Sequence, residues 1–417
     1  MTLAVAAAGI SSFALLYAPQ PLLPQLSAEF HLDPGGASLA VGVGTGALAL
    51  AVLPIAALSE VVGRRAVIVT SVLTSVLLGL LLPLAPSYPV LLVLRAVQGV
   101  AIAGFPGVAA AYLVEKLGKT GVAAAVGAMI AGNTIGGMTG RLAGGFTAEG
   151  LGWRGALAVV AVIALGCAVV TVLALPTSSK QPKANVFGGL GAALTSRILL
   201  VQYAIALLAM GSFVALYNAA GFRLTGAPIN LPPAIASLVF LAYAMGAVSS
   251  STAGRLVAKF GRRRSLVGAL LVTIAGGLLT LPDSLPLVAA GFVVLTGGFF
   301  AAHAVANGWA AAEAPEHGRG QVSGLYTLSY YLGSSIGGTL GSVVYGHAGW
   351  PWLIALTTSW LGLALYATAA TKSPPPTGSS AGTSRSSSRM ARATSRSASV
   401  SGSRRDGSAT LPPASTL

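Results

Sequence analysis

A chain of 417 residues that is 54% hydrophobic and only 8% charged, with a mean hydropathy of +0.81, falls outside the soluble globular class, in which about a quarter of residues carry charge. Its formal net charge of +15 would suit a nucleic-acid partner, but the placement of the charges argues against one and none is expected. The single cysteine, Cys167, excludes an intramolecular disulfide.

Twelve apolar segments follow in chain order, at 3–26, 36–58, 66–86, 88–113, 121–147, 153–176, 198–222, 232–254, 265–282, 285–311, 320–346 and 350–370. About 20 apolar residues cross the roughly 30 Å hydrocarbon layer, and a lipid-exposed span must satisfy its own backbone, so each is predicted to be a helix. The first segment carries Pro19, Pro21 and Pro24 and leads straight into further spans. It lacks the basic leader and small-residue cleavage site of a signal peptide.

The cations give the orientation. Twenty of the 24 lysines and arginines fall on one side, in loops holding Arg64, Arg65, Lys259, Arg262 and Arg263 among others, or in the C-terminal tail. The opposite side holds only Arg154 and Arg223, while Arg95 and Arg141 lie inside spans. The positive-inside rule then puts both termini in the cytoplasm of a multi-pass inner-membrane protein.

The chain repeats itself. "GRR" at Gly63 to Arg65 recurs at Gly261 to Arg263, an offset of 198. The glycines at 132, 136, 137 and 140 recur at 333, 337, 338 and 341, an offset of 201. Two pseudo-symmetric six-helix halves are therefore expected, at 1–176 and 198–372, in an all-α membrane fold. A polar cytoplasmic linker at 177–197 joins them. The Ser/Arg-rich stretch 373–417 is expected to be a disordered cytoplasmic tail.

Three motifs stand out. The loop "ALSEVVGRRA" after the second span and its partner "GRLVAKFGRRR" combine glycine, acid and arginines at fixed spacing, a pattern suited to a charge latch between helix ends. "RAVQG" in the fourth span sets Arg95, Gln98 and Gly99 on one helix face, and an intramembrane arginine faces a cavity or a partner. "GNTIGGMTGRLAGG" in the fifth span and "GSSIGGTLGS" in the eleventh carry small residues at the spacing that lets helices approach closely.

Together these motifs resemble the major facilitator superfamily: its Gly-x-x-x-Asp-Arg/Lys-x-Gly-Arg-Arg loop, its Arg-x-x-Gln-Gly motif and its fifth-helix antiporter motif. The first loop departs from the pattern, with Ala56, Glu60 and Val61 in place of Gly, Asp and a basic residue, and Gly137 stands where a proline is common. "YAPQPLLPQLSAEF", "LYNAAGFRL" and "GFFAAHAVANGW" resemble a bacterial branch of twelve-helix efflux permeases for sugars or drugs. The resemblance implies that Glu60, Gly63, Arg64, Arg65, Lys259, Gly261, Arg262 and Arg263 control cytoplasmic opening. It also implies that Gly132, Gly136, Gly137, Gly140 and Arg141, with Gly333, Gly337, Gly338 and Gly341, form a sliding seam between the halves.

Arg141 lies about 9 Å from the outer end of its helix, so snorkelling to the interface, an outer-gate contact and attraction of an anion are all readings of it. His303 is the histidine inside a span, and a group titrating near neutrality suits proton carriage or a packed hydrogen bond. Arg95, Gln98, Tyr217, Asn218 and His303 are the candidate substrate and coupling residues. None of the nine acids lies deep in a predicted span, which removes the buried carboxylate that many proton-coupled carriers use. One cysteine and four scattered histidines give no metal cluster, so no metal or cofactor is expected.

The expected function is secondary transport of a small organic solute by a monomer in the bilayer, through alternating access and by export, with protons as a candidate partner. Facilitated diffusion and a non-transporting receptor on the same fold are the alternatives. No catalytic constellation supports an enzyme. Arg95→Ala is expected to abolish flux with expression intact.

Overall fold

The computed structural model of the protein describes residues 1–176, 190–315 and 318–371. The tail at 373–417 and most of the linker at 177–197 therefore lie outside the described residues. Among the described residues fifteen α-helices run in chain order: α1 (Thr2–Tyr17), α2 (Leu23–Glu29), α3 (Pro34–Val62), α4 (Arg64–Leu81), α5 (Tyr88–Ala103), α6 (Ala109–Ala174), α7 (Leu190–Thr195), α8 (Arg197–Thr225), α9 (Pro233–Ala236), α10 (Tyr243–Phe260), α11 (Arg262–Leu279), α12 (Leu285–Glu313), α13 (Arg319–Leu332), α14 (Gly338–Ala348) and α15 (Trp350–Ala370). Helix is the regular structure throughout the described residues, as a lipid solvent demands. Each of the twelve predicted segments is largely helical, and α7 occupies the end of the stretch read as polar linker.

Local chemistry sets the boundaries. Asp33 caps α3 by accepting from the Gly36 N–H at 2.5 Å, with Pro34 at the first helical position, the favoured start for a helix. Gly63 at φ +102° and Gly261 at φ +80° separate α3 from α4 and α10 from α11. That backbone conformation is nearly closed to other residues, so the glycine of each "GRR" is a hinge between two spans.

The helical run α6 cannot be one rod, and its contacts with α1 show where it reverses. Gly132, Gly136 and Gly140 lie against the backbone of Ala6, Ile10 and Ala14, in parallel register. Further along, the Thr171 hydroxyl donates to the Ala4 carbonyl at 3.4 Å and Ser11 to the Ala164 carbonyl at 3.0 Å, which is antiparallel. Gly152, at φ +63°, lies between the two registers. The run is thus two spans, the predicted fifth and sixth, both packed on the first.

The internal repeat is structural. Gly333, Gly337 and Gly341 lie against Leu207, Gly211 and Ala215 of α8, each contact displaced by 201 residues from its counterpart in the first half. Here the expectation of a seam between halves is corrected. The glycine rows face the first helix of their own half, where small residues let two backbones approach closely. One departure from symmetry is local: Gly333–Gly337 is a π-turn, whereas residues 132–136 stay α-helical.

Buried apolar residues form two clusters, one drawn from residues 4–175 with Tyr331, the other from residues 193–364. The halves meet along α3, where Ser335 Oγ donates to the Gly42 carbonyl at 2.7 Å and Pro34 lies against Gly346. A second meeting place is the far end of the bundle, opposite the arginine loops, where Gly145 lies against Ser237 and Gly221 against Pro24.

Candidate functional site

Arg95 and Gln98 are both fully buried. The reason begins with Pro19, which has no N–H to give the Leu15 carbonyl one turn back. Arg95 supplies the missing donor: Nη1 to Leu15 O at 3.0 Å and Nη2 to Leu16 O at 2.6 Å. Its Nε donates to Ala40 O at 2.8 Å, and Nη1 also reaches Gln98 Oε1 at 2.5 Å. Gln98 Nε2 in turn donates to the Ser75 carbonyl at 2.9 Å. Gly44 leaves room for the guanidinium, and Gly99 rests on the Gly44 carbonyl. The "RAVQG" face therefore fastens α5 to α1, α3 and α4, with a cation at the C-terminal end of α1, where the helix dipole favours one.

Arg141 is 1% exposed, so it does not snorkel. Its guanidinium carbon lies 4.0 Å from the centroid of the Tyr17 ring and 4.4 Å from that of Tyr243. Tyr17 belongs to the first half and Tyr243 to the second, so the cation is clasped between the halves by cation–π contact. Nε donates to Gln20 Oε1 at 2.5 Å and Nη1 to the Gly137 carbonyl at 2.8 Å. Gln20 Nε2 then donates to Asn218 Oδ1 at 2.8 Å, across the halves. At the equivalent position of the repeat, Ser342 donates to the Gly338 carbonyl at 2.9 Å; it keeps the local bond and lacks the charge.

An aromatic column runs from this cage into the second half. Tyr243 meets Tyr217 at 4.9 Å and Phe213 at 5.4 Å, and Phe213 stacks on Phe299 at 4.0 Å. His303 stacks beside Phe299 and lies 4.6 Å from Tyr330. The Tyr326 hydroxyl lies 3.0 Å from His303 Nδ1, and Tyr217 shares a hydrogen bond of 2.7 Å with Thr296. Of the expected site residues, the fold thus brings Tyr217, Asn218 and His303 onto one column with Arg141, whereas Arg95 and Gln98 are occupied by backbone. A cavity of about 180 Å³ opens at the far end beside the cage, lined by Pro21, Pro24, Gly221, Ser237 and Phe240 among others.

At the arginine-loop end, Arg64 bridges Glu60 at 2.7 Å and Glu115 at 3.2 Å, and Arg65 donates to the Leu175 carbonyl at 2.9 Å. In the second copy, Arg262 pairs with Glu313 at 3.5 Å and Arg263 donates to the Ala369 carbonyl. Lys259 lies over the Phe260 ring at 5.1 Å. The arginine ties join spans of the same half, and the Lys259 contact stays within α10.

Sequence reading missed Gln20, Tyr17, Tyr243, Glu115 and Tyr326. Gln20 had a signal, a polar residue between two prolines in an apolar run. The aromatic partners had none, since a tyrosine facing a cation reads like any tyrosine in a span.

The family model of the Major Facilitator Superfamily matches residues 5–240 and 225–406. The chain is 38% identical to "Uncharacterized MFS-type transporter YybF" of Bacillus subtilis, over 88% of this chain and 92% of that protein. It is 39% identical to "Inner membrane transport protein YnfM" of Escherichia coli, over 84% of this chain and 85% of the relative. In fold it is similar to a crystal structure of the nucleoside transporter NupG, with a TM-score of 0.72 at 13% identity, covering 88% of this chain and 99% of that one. The chain belongs to the Major Facilitator Superfamily and is a multi-pass membrane transporter.

Proposed function

We propose that the protein exports a small organic solute across the cytoplasmic membrane by alternating access. The halves 1–176 and 198–372 rock about α3 and its partner α13–α14, with the arginine loops and both termini in the cytoplasm. The observation that carries the reading is the closure of the far end: Arg141, Gln20 and Asn218 join the halves there through one cation and two amides. Such contacts are exchangeable for a solute's own polar groups, unlike the backbone-on-backbone glycine rows within each half. Tyr217, Asn218 and His303 line the path, Arg95 and Gln98 hold the first-half spans that frame it, and the Glu60–Arg64–Glu115 clamp with its Arg262–Glu313 counterpart shapes the cytoplasmic mouth. Superfamily membership and a relative named as an inner-membrane transport protein support this reading.

Proton antiport by way of His303 is the coupling we propose, since its imidazole, held by Tyr326 through Nδ1, is the side chain of the column built to take up and release a proton. The test uses everted vesicles holding an imposed proton gradient, a panel of sugars, organic acids and drugs, and wild type beside His303→Ala. Solute-dependent collapse of the gradient is expected in wild type and its loss in His303→Ala. A specific observation favours the second reading, facilitated diffusion: every acid among the described residues sits at a span end or in a loop. Catalysed solute exchange with no proton movement in wild type would establish it.

A further inference from the structure

The two buried cations are not equally satisfied. Among the described residues the ion pairs lie at span ends, and neither Arg95 nor Arg141 faces a carboxylate. Arg95 has three backbone carbonyls and an amide oxygen in its place. Arg141 has one carbonyl and one amide oxygen, and beyond those only ring faces. A guanidinium has five N–H donors and no acceptor.

The amides beside it add to the imbalance. Because Arg141 can only donate, Gln20 must turn Oε1 toward it, and Gln20 Nε2 is then left to donate to Asn218 Oδ1. That leaves Asn218 Nδ2 on the Gly338 side, buried without a partner while the residue is 1% exposed. The relay therefore begins in a cation with spare N–H groups and ends in a spare N–H group. Both ends need an acceptor, and the net charge to be balanced is positive. A buried donor or charge left so is costly.

We propose that the solute bound at this seam is an organic anion, whose carboxylate docks on Arg141 with Asn218 as a further donor and whose apolar body lies along the Tyr217–Phe213–Phe299 column. The proposal rests on the transport reading only in calling the ligand a cargo. Charge-assisted hydrogen bonds are the strong ones, so a carboxylate outbids a neutral amide of the same shape here. The sequence already contains a near-isosteric control. Gln20→Glu would place a carboxylate against Arg141 Nε and let Asn218 turn to donate to it, satisfying both ends from within.

The experiment uses the purified full-length chain in detergent, with matched probes that differ only in charge: benzoate and benzamide, octanoate and octanamide. Thermal unfolding midpoints are read against probe concentration. In wild type the carboxylates are expected to raise the midpoint, with apparent affinity about tenfold or more above the amides. Arg141→Gln is expected to lose that preference and Arg141→Lys to keep part of it. Gln20→Glu is expected to raise the midpoint without any probe and to be blind to the carboxylates. Equal response of wild type to both members of each pair, or no response to either, overturns the proposal, as does a preference that survives in Gln20→Glu. Counterflow in proteoliposomes separates the two readings: exchange of neutral solutes but not carboxylates keeps transport and sinks the anion. Arg141-dependent carboxylate binding with no exchange of any solute keeps the anion and sinks transport.

Discussion

Arg95→Ala is expected to cost the folded protein about 1–3 kcal/mol for each buried acceptor it leaves unpaired, seen as a lower thermal midpoint and a reduced monodisperse yield. The substitution strips donors from Leu15, Leu16 and Ala40 carbonyls and from Gln98 Oε1 together, in a region with no water to replace them. Leu15 is the most exposed to this loss, because Pro19 can never supply the helical N–H. The sequence-based expectation of lost flux with intact expression is therefore revised: the fold is affected first. Two further variants separate the causes. Arg95→Met restores most of the volume but none of the hydrogen bonds, and is expected to be nearly as unstable as Arg95→Ala. Arg95→Lys keeps the charge but presents it as a point with three donors rather than a planar fork, and is expected to lie between. Wild-type stability in Arg95→Met would show that cavity filling, not donation to the α1 terminus, is what the position requires.

The sequence disclosed those parts of this architecture that depend on composition and spacing. The spans follow from hydropathy, the two halves from the 198- and 201-residue offsets, and the hinges from "GRR", because each of these properties is carried by consecutive or evenly spaced residues. What a side chain faces is a property of two distant segments, and there the reading went astray. The resemblance puts the glycine rows at 132–140 and 333–341 on the seam between halves, whereas each row lies against the first helix of its own half. The spacing says that a backbone comes close; it does not say whose. Arg141 admits three readings on sequence for the same reason, since its ring partner Tyr243 lies 102 residues away in the other half. His303 and Asn218, by contrast, stand out in the sequence because a polar residue in an apolar run must have a partner or a purpose.

At Gly136 and at Gly337 the position of a Cβ is already occupied by backbone, that of Ile10 in one half and of Gly211 in the other. Gly136→Leu and Gly337→Leu are each expected to abolish recovery of folded, monodisperse protein. Ordinary overpacking costs roughly 1–3 kcal/mol because side chains can rotate away; here the obstacle is main chain, and relief requires moving a whole span. Gly127→Leu is the control, since no heavy atom lies within 4 Å of its Cβ position, and it is expected to behave as wild type in size-exclusion profile and thermal midpoint. The pair also tests the repeat. If the 201-residue correspondence is energetic as well as geometric, the two leucine variants fail alike, and Gly136→Ala and Gly337→Ala lose similar stability. Tolerance of leucine at 337 alone would mean that the π-turn at Gly333–Gly337 gives the second half a freedom that the first lacks. The halves would then share their contacts without sharing their stiffness, and the second would be the one that yields as the carrier changes state.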